Sequence, residues 1–381
     1  MLCFGVVHKG VSFMSGITRR DCLQTSVKVL GGTALAATTA TDALAGPDRT
    51  PSSQKPGIHF AHVAGPGQTS RLRLMKQIGV NYAIAGVSGE LSKVRREQYL
   101  PTLRRIKADF LEQGINIAGV ESHPVAAEKI KLGIEGRDEE IENYKAAIDA
   151  LGKAEIPVLC YNWMAGLGWY RTKSDQLERG GALTTEFDAE AARAQGPTQF
   201  GEVSEEKLWA NLEYFLKAVM PVAERAGVKM ALHPDDPPIS PLRGIGRIAV
   251  SAKNYRRILD IVPSPLNGIT FCQANFKAMG EDLESLAKEW CRQKKIFFVH
   301  FRDIRGTKEH FVETFHDNGP TDMARMLQVY HENGFVGPLR PDHAPTLEGE
   351  ANDHPGYAFM GQLLAFGYMK GIMDGLKLPY A

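Results

Sequence analysis

Eight short apolar runs punctuate the chain between Ile58 and Asp342, and they limit the folds open to it. They are predicted as strands over Ile58–Val63, Asn81–Val87, Ile115–Glu121, Pro157–Asn162, Lys229–His233, Gly268–Cys272, Ile296–His300 and Pro338–Asp342. Between them lie segments with helical periodicity, among them Leu72–Ile78, Val94–Gln113, Asp138–Ala154, Ser204–Ala226, Ala278–Arg292 and Thr321–Asn333. Ser204, followed by Glu205 and Glu206, is a suitable helix start. Apolar strands alternating with helices belong to parallel βαβ units. Eight such units predict an α/β protein folded as a (β/α)8 TIM barrel. The competing fold is an open doubly wound sheet, but no glycine-rich dinucleotide or phosphate loop follows the first run.

Residues 1–45 read as an address. Thr18–Gln24 is TRRDCLQ, a weakly apolar run extends from Val27 to Ala40, and Ala43-Leu44-Ala45 offers a small-x-small cleavage site. This pattern resembles a twin-arginine export signal, with Met14 a plausible start. Residues 46–57, with Pro47, Pro51 and Pro56, read as a linker, and residues 58–381 as one catalytic domain. Lys28 and the glycines argue against a membrane anchor, and no spanning segment is expected in the mature chain. The expected location is periplasmic or extracytoplasmic, with the cytoplasm as the alternative.

The 45 Lys and Arg nearly cancel the 44 Asp and Glu, so neither nucleic acid nor an acidic membrane surface is an expected partner. Beyond the first segment the cysteines are Cys160, Cys272 and Cys291, too few and odd in number for a disulfide framework.

In a barrel of this kind, chemistry sits at the C-terminal strand ends. The last residues of runs five to eight are His233, Cys272, His300 and Asp342, spaced 39, 28 and 42 residues apart. Each has a plain structural reading alone: a hydrogen-bonded histidine, a small buried thiol, a helix-capping carboxylate. Together they put four metal-ligand types on one rim. Ligand softness by itself favours zinc; a catalytic metal needs room for substrate oxygens as well.

With these segments in view, the chain resembles the mannonate dehydratase family. The stretches that carry the resemblance are VESHPV from Val120, CYNWM from Cys160, WYRT from Trp169, MALHPDDPP from Met230, GITFC from Gly268, VHFRD from Val299, RPDH from Arg340 and PGY from Pro355. The resemblance implies a xylose-isomerase-like barrel and a metal site made of His233, Cys272, His300 and Asp342. Manganese is the usual family ion; iron(II), cobalt(II) and zinc are the alternatives. It implies His343 and Tyr357 as the proton-transfer pair, with the acid and base roles left open; a phenol near a cation or metal can have a lowered pKa. Arg302, Asn162 and His316 are implied as substrate-pocket residues. The expected reaction is loss of water from a small sugar acid, D-mannonate giving 2-keto-3-deoxy-D-gluconate. A sugar isomerase or epimerase on the same barrel, and a non-catalytic exported sugar-binding protein, are the competing functions. Cys272 disfavours the former and intact His343 and Tyr357 the latter.

There are departures from the family pattern. The linker after the fourth run and the stretch before His316 are shorter, His123 replaces an apolar residue, and the export signal is unusual. The polar stretch Ala165–Glu202 is expected to be a lid, with a surface excursion or an oligomer contact as alternatives; a homo-oligomer is left open. Asp235 and Asp236 are expected only to shape the loop after His233.

Overall fold

The computed structural model describes residues 57–381. The expected export signal and all but the last residue of the linker lie outside the described residues.

Eight parallel strands close into a barrel: β1 (Ile58–Ala64), β2 (Tyr82–Ala85), β3 (Asn116–Glu121), β4 (Val158–Asn162), β7 (Lys229–His233), β8 (Asn267–Cys272), β9 (Ile296–Phe301) and β12 (Gly337–Pro341). Their order around the barrel is that of the chain, and β12 pairs with β1 to close it. Successive strand side chains point to opposite faces. Ala61, Ile84, Ala118, Cys160, Ala231 and Phe298 form a small cluster inside the barrel. Phe60, Leu159, Leu232, Phe271, Val299 and Leu339 belong to the larger core between the strands and the surrounding helices.

That outer core aims the inner residues. Phe271 stacks on Phe276, with ring centroids 4.8 Å apart, and meets Trp290 and Tyr330 edge-on. Fully burying a side chain of this size contributes about 1.5–3 kcal/mol. Phe271 locked outward leaves its neighbour Cys272 facing inward. Gly268, in the same strand, allows the close approach of β9. A Cβ there would lie 2.3 Å from the Phe297 ring and 2.5 Å from the Lys295 carbonyl.

The helix Glu205–Ala226 follows the sequence reading. The Ser204 hydroxyl caps it by accepting from the Lys207 N–H at 3.3 Å, and Gly227, in the left-handed region, ends it. The stretch Ala278–Arg292 departs from expectation. It contains the end of one helix, Gln273–Ala278, and the whole of a second, Leu283–Arg292. Gly280 breaks the run at φ +83°, and the Asp282 carboxylate caps the second helix by accepting from the Ser285 N–H.

A second sheet was not foreseen. Strands β5 (Lys173–Leu177) and β6 (Leu183–Asp188) come from the polar excursion. Strands β10 (Ile304–Thr307) and β11 (His310–Glu313) form a hairpin directly after β9. The four make an antiparallel sheet in the order β10-β11-β6-β5. Phe187, Phe311 and Ile304 anchor it against Ile239, Leu242 and Ala274. Polar residues such as Lys173, Arg305 and His310 break the apolar alternation that would have revealed these strands.

Candidate metal centre

Strands β7, β8, β9 and β12 are consecutive neighbours, and their register sets Cys272 opposite His300 and His300 opposite Arg340. A one-residue register shift between β8 and β9 places Phe298, not Phe297, opposite Thr270, and His300 follows two residues later on the inner face. Asp342 lies one residue beyond β12. The ligand-type atoms of His233, Cys272, His300 and Asp342 all fall within 4.8 Å of one another. His233 Nε2 is 3.1 Å from His300 Nδ1, which is 3.5 Å from Asp342 Oδ2. Cys272 Sγ is 3.9 Å from that same oxygen. His233 Nδ1 donates to the Pro234 carbonyl at 2.7 Å, which turns the Nε2 lone pair into the cluster.

The electrostatics suit a cation. Burial would raise the Cys272 thiol, but the Arg302 guanidinium and hydrogen bonds from His233 and His300 outweigh it and bring the thiol down to about 6. Burial likewise opposes charge on Asp342, yet His343, Arg340, His300 and Arg302 hold its carboxyl well below the usual range. Burial and Arg340 push His300 down, whereas Glu121 and Asp342 push it further up, so its net shift is upward. A dication at this point would take the place of that proton. Two imidazoles, a thiolate and a carboxylate converging in a buried pocket are a donor set that a divalent transition metal fits.

The cluster opens on a cavity of about 190 Å³ bordered by His233, His300, Asp342, Asn162, His343 and Tyr357 among others. Among the described residues, no Lys or Arg borders it. Ser122 also faces it and holds a left-handed backbone, φ +68°, a strained conformation of the kind that collects at functional sites. Gly168 and Trp169 bring the excursion to the rim, with the Trp169 ring 5.1 Å from that of His343.

His343 Nε2 is 3.1 Å from the Tyr357 hydroxyl, and His343 Nδ1 donates to Glu313 Oε1 at 2.8 Å. Burial pushes the Tyr357 phenol up; Asp342 and Glu121 add to this, against Arg340 and His300. The protein's own groups therefore keep it protonated, opposite in direction to the lowering expected from a nearby cation. Gly356 carries the turn before Tyr357 at φ +84°, and a Cβ there would lie 3.2 Å from three atoms of His343. Gly356→Ala is expected to lower kcat on the order of tenfold by displacing the imidazole. Steady-state kinetics beside a thermal melt would separate this from general destabilisation.

A buried charge network runs from the cavity wall, where Glu121, Asp236 and Asp342 lie, into the interior behind it. Arg302 reaches Asp342 Oδ2 at 2.6 Å, Asp236 Oδ2 at 2.7 Å and Glu313 Oε1 at 3.0 Å. Arg171, from the excursion, chelates Asp236 at 2.6 and 3.0 Å and also pairs with Glu313. Burial opposes charge on Glu313, but Arg302, His343 and Arg171 hold it well below the usual carboxylate range. Arg340 grips Glu121 at 2.7 and 3.0 Å and Asp342 at 2.8 Å. Arg302→Met would leave three buried carboxylates under-compensated, and is expected to cost about 3–5 kcal/mol in a denaturant titration.

Two expected substrate-pocket residues are therefore placed elsewhere. Arg302 does not border the cavity; its guanidinium is spent on Asp342 and Asp236, which do border it, and on Glu313. His316 does not border it either. Its ring stacks on Phe301, centroids 6.4 Å apart, and Phe301 faces the outer core. Burial pushes His316 down to about 4. Asn162 does border the cavity, next to His233 in register. His123 turns away, with Nδ1 3.1 Å from the Tyr144 hydroxyl. Glu121, Arg171, Asp236, Glu313 and Arg340 were not foreseen as site residues. Four of them lie within stretches that carry the family resemblance; Glu313 lies on the unforeseen hairpin.

A family model described as D-mannonate dehydratase (UxuA) matches residues 62–201 and 195–380. Mannonate dehydratase 2 of Halalkalibacterium halodurans is 35% identical over 346 residues, covering 82% of this chain and 97% of that protein. Mannonate dehydratase of Streptococcus equi subsp. zooepidemicus is 35% identical over 303 residues, 72% of this chain and 82% of that protein. The crystal structure of mannonate dehydratase from Streptococcus suis serotype 2 superposes with a TM-score of 0.77 at 29% identity, covering 85% of this chain and 97% of that one. A xylose isomerase domain protein from Planctomyces limnophilus shares the barrel fold alone, with a TM-score of 0.53 at 14% identity over 84% of this chain and 99% of that one.

Proposed function

The chain belongs to the D-mannonate dehydratase family, and we propose that it is a hydro-lyase converting D-mannonate to 2-keto-3-deoxy-D-gluconate and water. The observation that carries this reading is the convergence of His233, Cys272, His300 and Asp342 beside a hydrogen-bonded His343–Tyr357 pair in one cavity.

A divalent metal held by those four residues, manganese in this proposal, would supply Lewis-acid stabilisation of the negative charge that develops on the substrate carboxylate. The rest is done by the chain's own groups. His343, with Nδ1 committed to Glu313, presents Nε2 as the base that takes the C2 proton. Tyr357, held in its protonated form, hands its phenolic proton to the leaving C3 hydroxyl, and the C3–O bond breaks to release water. The proton on His343 then returns to the phenolate along their 3.1 Å hydrogen bond, restoring both groups. The resulting enol takes a proton at C3 while its C2 hydroxyl gives one up to water, and becomes the 2-keto product.

The excursion 165–202 excludes water from the elimination, placing Gly168 and Trp169 at the rim. Residues 1–45 direct the protein out of the cytoplasm; fusing residues 14–50 to a reporter and changing Arg19 and Arg20 to Lys should abolish export.

The functional test is a panel of aldonates and aldoses incubated with manganese-loaded protein. Keto-deoxy product from D-mannonate supports the proposal. Isomerised sugar without loss of water points to an isomerase, and binding without turnover to a sugar-binding protein.

A further inference from the structure

We propose that Glu313 is a positioning residue for the catalytic imidazole, delivered to it by the antiparallel sheet. This rests on the reading of His343 as a proton-transfer group. Glu313 is the last residue of β11, and its Oε1 accepts from His343 Nδ1 at 2.8 Å. That bond selects the tautomer with its proton on Nδ1 and leaves Nε2 to face Tyr357. The opposite tautomer would place an N–H where the base must be, so the choice bears directly on proton removal.

The carboxylate is held from three sides. Strand β11 pairs with β6 through Phe311–Phe187 and Val312–Glu186, which fixes the backbone leading to Glu313. Arg302, at 3.0 Å, comes from the end of β9. Arg171 comes from the excursion, and its side chain is nearly inaccessible although the surrounding stretch is polar. A surface excursion has no need of a buried arginine aimed at a carboxylate two strands away. An anchor for the base does. The competing reading is that Glu313 only neutralises two arginines.

Glu313→Gln separates the two. The amide keeps the volume but can present either an acceptor or a donor to Nδ1, so it no longer enforces one tautomer. In protein labelled with nitrogen-15 histidine, with the His343 signal assigned by its loss in His343→Gln, the wild type should show its proton on Nδ1. Glu313→Gln should show a mixed or reversed tautomer. On D-mannonate, kcat should fall about 10–100-fold with KM and metal content unchanged. Glu313→Asp, which keeps a carboxylate, should recover part of the rate. An unchanged tautomer in Glu313→Gln would overturn the proposal, as would a loss of kcat matched by loss of metal or of folded protein. Failure of the wild type to turn over D-mannonate would instead sink the dehydratase reading, and the spectrum would still decide the role of Glu313.

Discussion

Cys272→Ala is expected to abolish stoichiometric metal binding and to lower D-mannonate turnover by at least about 10³-fold. The size follows from what a cation supplies. Lewis-acid stabilisation of developing charge is worth several kcal/mol, and about 4 kcal/mol corresponds to about 10³ in rate. Cys272 is the softest of the four donors, and its thiol, held down to about 6, is largely ionised at neutral pH. Metal affinity in the wild type should therefore fall as pH drops below about 6, where the thiolate takes up a proton. The variant should fold, since it exchanges one small buried side chain for another. Elemental analysis of dialysed protein, with a thermal melt in the presence of chelator, would distinguish loss of the ligand from loss of the fold. Retention of one tightly held metal by Cys272→Ala would contradict the assignment.

His343→Gln and Tyr357→Phe are each expected to lower turnover by about 10²–10⁴, and to differ in how they fail. If His343 removes the C2 proton, His343→Gln loses both elimination and exchange of the C2 hydrogen with deuterium oxide. If Tyr357 protonates the leaving hydroxyl, Tyr357→Phe retains C2 exchange while losing elimination. The direction of the Tyr357 shift favours this division, because a buried phenol beside carboxylates holds its proton. Exchange lost in Tyr357→Phe and retained in His343→Gln would reverse the two roles. Both variants should keep their metal, since neither residue belongs to the four-donor cluster.

The barrel and the four-donor cluster were legible in the sequence because each rests on a local signal. The strands are short apolar runs, and a ligand at a strand end inherits its direction from the alternation before it. Reading Cys272 against Phe271, or His300 against Val299, needs no tertiary knowledge. The supporting network was not legible, because its signals are non-local. Glu313 and His343 are 30 residues apart, and Arg171 and Asp236 are 65 apart. They meet only once a polar hairpin pairs with a polar excursion. Arg302 shows how such partners go unseen. Its place after the third ligand pointed to the substrate, and the structure pairs it with three carboxylates from distant segments. The ring contact of His316 with Phe301, which faces the outer core, was not legible either. Asp236, first taken only to shape a loop, borders the cavity and bridges Arg171 and Arg302.

The most direct test of a metal-dependent dehydratase is the fate of D-mannonate in deuterium oxide. Incubated with manganese-loaded protein and examined by mass spectrometry and proton NMR, it should yield 2-keto-3-deoxy-D-gluconate carrying one solvent deuterium at C3. The same sample treated with chelator should yield none. A product that keeps all its oxygens, or full occupancy of the metal site without turnover, would contradict the account.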